Sequence, residues 1–454
     1  MLRSSRVIKN LSRRIADVSW TTWLVAVGLV LFVCNVLLFY PGHMSNDTMQ
    51  QLSQAIGDKP FSDWHPPIMA LLWSVLISVT GHVSSMLVFQ LSLLWSALYL
   101  LASYLYGVSR KRWVSLLPYA LGLSPFVLNI SGTIWKDVQM ALAFLLASIL
   151  LLVYVKELSA NKWVVTTVAT LVVYGMLMRY NAALAAIPIV YYCINLYMEK
   201  SSKYIKIGLA TLGGAVILVV NLIIGVMFPI EKTHPASAVM LDDIVSVKQD
   251  RSFDDVSQPL RQHLYDVRSR CMSRGVPMNS FWLCAEDADR SIVSQSHYSE
   301  LSALWLKTII QHPLSYAQYR LYAFSLLVFA PDDRAYIYAD GIVENNLDVK
   351  SQGIYMTKAL GVYVNNFGYK HFSFLYQAWF WILSSIALIV ISKRRKVHGA
   401  FVRMLAWSAL LYIFAYVPMV VATDFRYIYW PVIAICIGVT LLLTDREKKW
   451  QRTH

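Results

Sequence analysis

Residues 23–48 read WLVAVGLVLFVCNVLLFYPGHMSNDT, an apolar run followed at once by a short polar segment. The run Trp23–Tyr40 carries no charged residue, and it is long enough for a helix to cross a membrane, which takes roughly 20 apolar residues. Basic residues precede it, as in a signal peptide, but no convincing small-x-small cleavage site follows. We therefore interpret the run as a retained first membrane helix, with Asp47 just beyond its end.

Similar apolar runs recur along the chain. Of its 454 residues, 57% are hydrophobic and 15% are charged, and the mean hydropathy is +0.50. A soluble domain carries about 25% charged residues. The pattern predicts an all-α polytopic membrane protein with about 10–12 transmembrane helices. The clearest candidate spans are 22–40, 86–107, 114–131, 138–156, 163–178, 183–198, 207–228, 374–392, 402–421 and 427–444.

The basic residues form short tracts between the apolar runs, so the net charge of +14 does not indicate nucleic-acid binding. Such tracts are typical of the cytoplasmic loops of membrane proteins. They predict a multi-pass inner-membrane protein with both termini in the cytoplasm and its active site on the periplasmic side. The tracts lie at residues 3–14, 110–112, 156–162, 199–206, 393–396 and 446–452.

Two apolar segments, 66–80 and 316–330, are awkward as spans. A crossing by 66–80 would turn the later basic tracts outward, so we predict an in-plane or re-entrant helix on the outer face. Segment 316–330 either does not cross, or crosses and returns through a weak segment near 353–368. Both alternatives keep the flanks of the long polar region outside.

This topology divides the chain into three parts. They are an N-terminal transmembrane module (1–228, including the outer loop 41–85), an extracytoplasmic loop region (229–373) and C-terminal transmembrane helices (374–454). The middle part contains Cys271 and Cys284. In an oxidising compartment these two could form a disulfide; the alternative is two free thiols.

Asp47 is the first acidic residue of the outer loop 41–85. A carboxylate just beyond a membrane helix can act as a general base toward a hydroxyl group. The alternative is structural, because Ser45, Asn46 or Asp47 could cap a helix that begins near Thr48.

Three cations lie on the side of the membrane that is normally poor in them: Lys136, Arg179 and Arg426. Each one alone could be a snorkelling side chain at a helix end. As a set they indicate a polyanionic ligand at headgroup depth, such as a lipid phosphate or diphosphate. Lys136 and Asp137 could form a local ion pair, or Asp137 could orient a phosphate held by Lys136.

Other potential sites are weaker. Arg320 either adds to the phosphate site or anchors the apolar segment around it. The ten histidines show no metal-ligand spacing, so we predict no catalytic metal. The sequence contains no Gly-rich phosphate loop, nucleotide fingerprint or G-x-S-x-G turn, which argues against a nucleotide-sugar enzyme and an ATP-driven pump.

The order of these features resembles the GT-C superfamily of membrane glycosyltransferases. The shared features are Asp47 after the first helix, an outer His-Pro-Pro helix start at His65, and an outer Lys-Asp pair at Lys136. Around His65 to Leu72 the chain looks most similar to protein mannosyltransferases and lipid A aminoarabinose transferases. Its overall plan also looks like that of the bacterial transferases that decorate O-antigen, such as O-antigen-modifying glucosyltransferases. The resemblance covers most of residues 20–200 in layout. The resemblance implies a GT-C-like fold with outer juxtamembrane helices and an extracytoplasmic loop domain.

The resemblance also implies an inverting transfer of a sugar from a polyprenyl-phosphate donor (undecaprenyl phosphate) to a surface glycan or lipid-linked acceptor such as O-antigen. Asp47 would be the base. The donor phosphate would be held by Lys136, Asp137, Arg179, Arg426 and Arg320. Support for the acceptor or for the structure would come from His65, Asn181 and Tyr427. No cofactor is implied. The partners would be the donor, the acceptor, membrane lipids, a flippase and a polyprenyl-phosphate-sugar synthase.

Two other functions remain open on the sequence. A transporter or flippase of lipid-linked glycans would place ionisable groups at mid-membrane and in repeated halves, and no repeat is visible here. An O-antigen polymerase or ligase would also bind a lipid diphosphate with outer arginines.

Overall fold

The computed structural model describes residues 2–155, 161–198, 200–248, 252–330, 336–351 and 353–445. Helices make up 76% of it, with almost no strand. Lys156 and the basic tract 446–452 lie outside the described residues. The α-helices, numbered in chain order, are α1 (Leu2–Phe39), α2 (Asn46–Ala55), α3 (Ile68–Thr80), α4 (Ser85–Ser109), α5 (Arg112–Leu123), α6 (Pro125–Ser131), α7 (Lys136–Val153), α8 (Lys162–Met178), α9 (Ala182–Tyr197), α10 (Lys203–Met227), α11 (Ala236–Val247), α12 (Gln258–Arg274), α13 (Ser280–Leu283), α14 (Asp287–Ser291), α15 (Tyr298–Gln311), α16 (Pro313–Val328), α17 (Ile354–Gly361), α18 (Lys370–Phe372), α19 (Ala378–Ser392), α20 (Gly399–Phe414) and α21 (Tyr429–Asp445).

Several shorter elements join these helices. Two-residue strands β1 (Phe61–Ser62) and β2 (Ile230–Glu231) pair in parallel, which ties the outer loop 41–85 to the segment that follows α10. The remaining turns of helix are π-helical at Ile292–Ser296 and Val362–Tyr369 and 3₁₀-helical at Ser373–Tyr376 and Phe425–Ile428.

Five helices among the described residues are long and apolar enough to cross a membrane: Ser19–Phe39 of α1, α4, α7, α10 and Phe425–Thr444. Two bent helix pairs raise the number to seven. Three further predicted spans coincide with α8, α9 and α20, which have 16 or 17 residues each. The prediction of a mostly helical chain with several candidate membrane-spanning helices is confirmed, and the number of crossings stays a prediction.

The two awkward segments are helices as well. Segment 66–80 forms α3, whose 13 residues extend roughly 20 Å and fall short of the hydrocarbon core. Segment 316–330 lies mostly within α16, a helix of 16 residues that carries the buried Arg320. The alternatives for its crossing remain open.

The predicted span 114–131 is bent by 53° between α5 and α6. Ser124, at the bend, has the extended backbone angles φ −63° and ψ 146°. The ring of the following Pro125 disfavours the helical conformation at the preceding residue, so the helix breaks there. A second bend, of 56°, separates Ile354–Tyr376 from α19.

Helix α7 lies at the centre of the bundle and packs against α4, α8 and α21. In the most apolar 18-residue stretch of α7, 78% of the residues are buried, whereas the figure for α1 is 22%. Helix α1 is therefore peripheral and α7 central. Within α7, Gln139 hydrogen-bonds Gln90 of α4 at 2.8 Å and Tyr174 of α8 at 3.1 Å. Gln90 in turn donates to the carbonyls of Ser131 and Thr133, which fixes the loop leading into α7.

The region 229–373 contains two different parts. Residues from Ala238 to Leu304 build a hydrophobic core of their own, and a disulfide joins Cys271 and Cys284, whose Cα atoms are 5.3 Å apart. By contrast, Tyr338, Leu360 and other residues of the later part belong to the core of the helical bundle. The disulfide alternative is therefore the one observed, and the region is a small stapled domain followed by a segment that packs on the bundle.

Candidate functional site

The candidate site lies where four helix ends meet. Asp47 follows the end of α1, Lys136 begins α7, Arg179 follows the last residue of α8, and Arg426 lies just before α21. All four side chains line one cavity of about 690 Å³. These residues come from four distant segments of the sequence, and the fold brings them together at one end of the bundle.

Short stretches of paired backbone hold the loops of the site against one another. The backbone amide of His43 donates to Gly132 O at 3.1 Å, and the amide of Ile134 donates to His43 O at 2.9 Å. These contacts place the start of α2 beside the start of α7. The three parallel bridges join His43 to Thr133, Met44 to Ile342 and Tyr336 to Asp424.

Two glycines allow this close approach. Gly42 has φ +125°, which strains any other residue, and a Cβ there would overlap Ile134. A Cβ at Gly132 would overlap the ring of Phe39. Without these glycines the loops after α1 and before α7 could not meet, so both are needed to assemble the site.

Asp47 lies in the first turn of α2 and does not cap it. The N-cap residue is Ser45, whose backbone amide donates to Thr48 Oγ1 at 3.3 Å. The Asp47 carboxylate instead accepts from Arg426, with Oδ2 2.8 Å from Nη1. Its side chain is 30% exposed and faces the cavity. The capping explanation therefore applies to Ser45, and Asp47 remains available for chemistry.

Arg426 is held between two carboxylates. Besides Asp47, its Nε donates to Asp424 Oδ2 at 2.8 Å. The guanidinium carbon lies 4.7 Å from the ring centre of Trp135 and 5.4 Å from that of Tyr427. Aromatic faces attract a guanidinium, so these rings fix the plane of the group without supplying negative charge.

Lys136 has a different partner. Its Nζ donates to Nδ1 of the buried His65 at 2.7 Å, and His65 Nε2 lies 3.8 Å from Asp47 Oδ1. Burial, together with the neighbouring Lys136 ammonium, lowers the pKa of His65 to about 3. The imidazole is therefore neutral, and its proton is on Nε2, aimed toward Asp47.

Arg179 is bound to Asp137 by an ion pair in which the carboxylate is completely buried. The guanidinium carbon also lies 5.5 Å from the ring centre of Tyr416 and 4.9 Å from that of Tyr427. Asp137 thus orients Arg179 and not, as the sequence analysis proposed, a phosphate held by Lys136. Tyr427 contacts both arginines and acts as a spacer between them.

The site contains as many carboxylates as cations. Asp424 was not among the predicted site residues. Its carboxylate is the third in the site, beside those of Asp47 and Asp137, and it pairs with Arg426. Burial by itself would raise the pKa of the Asp47 carboxyl, but its polar and charged neighbours, of which Arg426 has the largest effect, together outweigh burial and hold that pKa well below its usual range. For Asp424, burial prevails over Arg426 and raises the pKa above its ordinary value.

Two further predicted residues, Asn181 and Arg320, differ in their relation to the cavity. Asn181 lines the cavity, and no described residue accepts from its buried Nδ2. Arg320 does not line the cavity: it is 3% exposed, its Nη2 lies 2.6 Å from Asp243, and Nη1 donates to Val420 O at 2.9 Å. We therefore correct the assignment of Arg320 from phosphate binding to bracing α16 against the segment that precedes Asp424.

Two tryptophans that were not among the predicted site residues also line the cavity, Trp64 and Trp282. Trp64 directly precedes His65, so its place in the first outer loop was a usable signal. Trp282 belongs to the disulfide-stapled domain, and nothing in its local sequence connects it with Asp47.

Comparison with known proteins gives no family for this chain. No family model matches it, and no curated protein matches it. The geometry of the site itself is therefore the basis for assigning a function.

Proposed function

We propose that this protein is an inverting glycosyltransferase of the membrane, GT-C-like in plan. It moves a sugar from a polyprenyl-phosphate donor to a surface glycan or lipid-linked acceptor such as O-antigen. The observation that carries the proposal is the cavity in which one partly exposed carboxylate, Asp47, meets three cations at the ends of membrane-type helices.

The disulfide supports a location outside the cytoplasm. Disulfides persist in oxidising compartments and are rare in the cytosol. The domain closed by Cys271 and Cys284 contributes Asn279 and Trp282 to the cavity wall, so the domain and the cavity lie on the same side. The basic tracts between the predicted spans favour the opposite side for both termini.

The donor phosphate would bind at Arg426 and Lys136. Guanidinium groups bind phosphate oxygens in pairs, and an ammonium adds a point charge. Arg179 is less available because its partner, Asp137, is fully buried, and separating a buried ion pair is costly. Arg426 has the exposed partner, so the phosphate can displace the Asp47 carboxylate from Nη1.

That exchange would also activate the base. A carboxylate with a strongly lowered pKa is a weak base, and Arg426 is the main charge that lowers the pKa of Asp47. Once a phosphate neutralises Arg426, the pKa of Asp47 rises and its carboxylate can accept the proton of an acceptor hydroxyl. The neutral His65, 3.8 Å away, can donate through Nε2 to the same acceptor oxygen or to a water between them.

The bonds and electrons then balance without a cofactor. The acceptor oxygen gives its proton to Asp47 and forms a bond to the anomeric carbon from the face opposite the phosphate. The bond between that carbon and the phosphate oxygen breaks, and its electron pair stays on the phosphate. Arg426 and Lys136 stabilise the charge that develops there, which is the largest contribution an active site usually makes.

The test is transfer by purified protein in nanodiscs. A panel of short-chain polyprenyl-phosphate hexoses serves as donor and isolated surface glycan as acceptor. We expect Asp47→Asn to abolish transfer, whereas Asp58→Asn, an exposed carboxylate on the same outer loop, leaves it intact. Undiminished transfer by folded Asp47→Asn would exclude Asp47 as the base, and donor translocation without transfer by the wild type would point to a flippase.

A further inference from the structure

A second, smaller cavity of about 280 Å³ adjoins the candidate site and shares two of its wall residues, Trp64 and Trp282. Gln50 lines the smaller cavity one helical turn after Asp47, so both residues lie on the same side of α2. The two cavities therefore lie side by side and together extend from Asp47 to the disulfide-stapled domain; we call the pair the groove.

We propose that this smaller cavity binds the acceptor as a neutral oligosaccharide, with Trp282 and Trp64 as stacking surfaces. The assignment rests on the function proposed above and specifies which part of the groove holds which substrate. The charged cavity takes the donor phosphate, and the aromatic cavity takes the sugar residues next to the acceptor hydroxyl.

The aromatic side chains form a corner that is suited to a sugar ring. The ring centres of Trp64 and Trp282 are 5.6 Å apart with their planes at 87°, and Phe281 stacks on Trp64 at 5.2 Å. Trp282 is 52% exposed although it is large and apolar. The C–H faces of sugars pack against aromatic rings, and aromatic walls with a few polar groups are typical of ligand pockets.

The polar groups around this corner are amides and hydroxyls. They are supplied by Gln50, Ser291, Ser294 and Gln295. Among the described residues that line the cavity no carboxylate is present, and Arg290 is already engaged: it pairs with Asp287, donates to Ala285 O at 2.6 Å and contacts the Trp282 ring at 5.4 Å. This chemistry fits hydroxyl-rich neutral sugars and offers no free charge to an acidic glycan.

The short helix that carries Phe281 and Trp282 is fixed at both ends. Before it, Asp242 accepts from the amides of Asn279 at 2.9 Å and Ser280 at 2.6 Å. After it, Cys284 is tied to Cys271. The rings are therefore held in place before a ligand arrives, which reduces the entropy lost on binding.

The test is binding of the purified protein to a printed array of neutral oligosaccharides of hexose and N-acetylhexosamine together with acidic ones, without donor. We expect the wild type to bind neutral glycans. Trp282→Ala and Gln295→Ala should weaken binding by about tenfold or more, and Trp282→Phe should restore part of it. The matched control is Trp163→Ala, which removes an exposed tryptophan at the other end of α8.

Each outcome separates the subsite from the catalytic proposal. Wild-type binding to acidic glycans only, or neutral-glycan binding that survives both Trp282→Ala and Gln295→Ala, overturns the subsite while leaving Asp47-dependent transfer untouched. Neutral-glycan binding that is lost in Trp282→Ala supports the subsite even where no polyprenyl-phosphate sugar is transferred, and in that case it is the proposed transfer that fails.

Discussion

The ion pair between Asp47 and Arg426 predicts how activity responds to pH. In the free protein the pKa of Asp47 lies well below its ordinary value of 3.8, so the carboxylate is charged throughout the neutral range. We expect kcat/KM to show no acid limb from Asp47 at or above pH 4. An opposite charge within about 4–6 Å lowers a carboxyl pKa by about 1–3 units, and Arg426 is the closest such charge, at 2.8 Å. Replacing Arg426 with glutamine should therefore raise the pKa of Asp47 by about 1–3 units. Burial of the carboxyl also raises this pKa, and the substitution leaves that effect in place.

The assay is a profile of kcat/KM against pH from 4 to 9, since this ratio reports the pKa values of the free enzyme. In Arg426→Gln we expect the acid limb to move up toward the acid end of the measured range, together with a fall of about 10²–10³ in kcat because a donor to the leaving phosphate is lost. Arg426→Lys keeps the charge and should show a smaller shift of the limb. A profile of Arg426→Gln that is reduced in height but unchanged in shape would refute the coupling between the base and the phosphate site.

Two further predictions concern Lys136 and the disulfide. Lys136→Ala should lower kcat/KM by about a hundredfold in the transfer assay, because the ammonium is then missing from the phosphate site; unchanged kcat/KM would mean that Lys136 only orients His65. Replacing Cys271 and Cys284 with serine removes a cross-link over 13 residues, worth about 3 kcal/mol, and should make the stapled domain sensitive to limited proteolysis. Cys193→Ser, outside that domain, is the control and should leave the cleavage pattern as in the wild type.

The positions of the helices were predictable because the membrane criterion is local. The composition of a run such as 138–156 is enough to predict a helix, and α7 covers most of that run. The bends and the short helices were not predictable from hydropathy, since a window average does not register Pro125 as a break. For helix α3 the two criteria differ: its apolar sequence favours a span, whereas the basic tracts predict a helix that does not cross, and its 13 residues fall short of the hydrocarbon core.

The grouping of the site residues was predictable for a related reason. In the predicted topology, alternating helix directions put the end of α1, the start of α7, the end of α8 and the start of α21 on one face. Asp47, Lys136, Arg179 and Arg426 then lie at the same end. Which cation pairs with which carboxylate was not predictable, because pairs such as Arg426 with Asp47 join residues 379 positions apart. The misassignment of Arg320 has the same origin: its partner Asp243 lies on α11, and no local pattern connects the two.

The balance of charges changes how phosphate recognition must work. Three unpaired cations would attract any anion, including free phosphate, whereas Arg179 and Arg426 are each neutralised by carboxylates of the protein itself. In the proposed function, a donor phosphate that binds either arginine has to displace one of these internal partners, and the two pairs differ in the cost of doing so. Asp137 is completely buried, so its separation from Arg179 would leave a charge without solvent, at a cost of about 3–5 kcal/mol. Asp47 is partly exposed and already faces the cavity, so we expect the exchange at Arg426. In the proposed reaction the donor therefore has to do more than bind: it takes the place of the Asp47 carboxylate, and that displacement produces the free base that the acceptor requires.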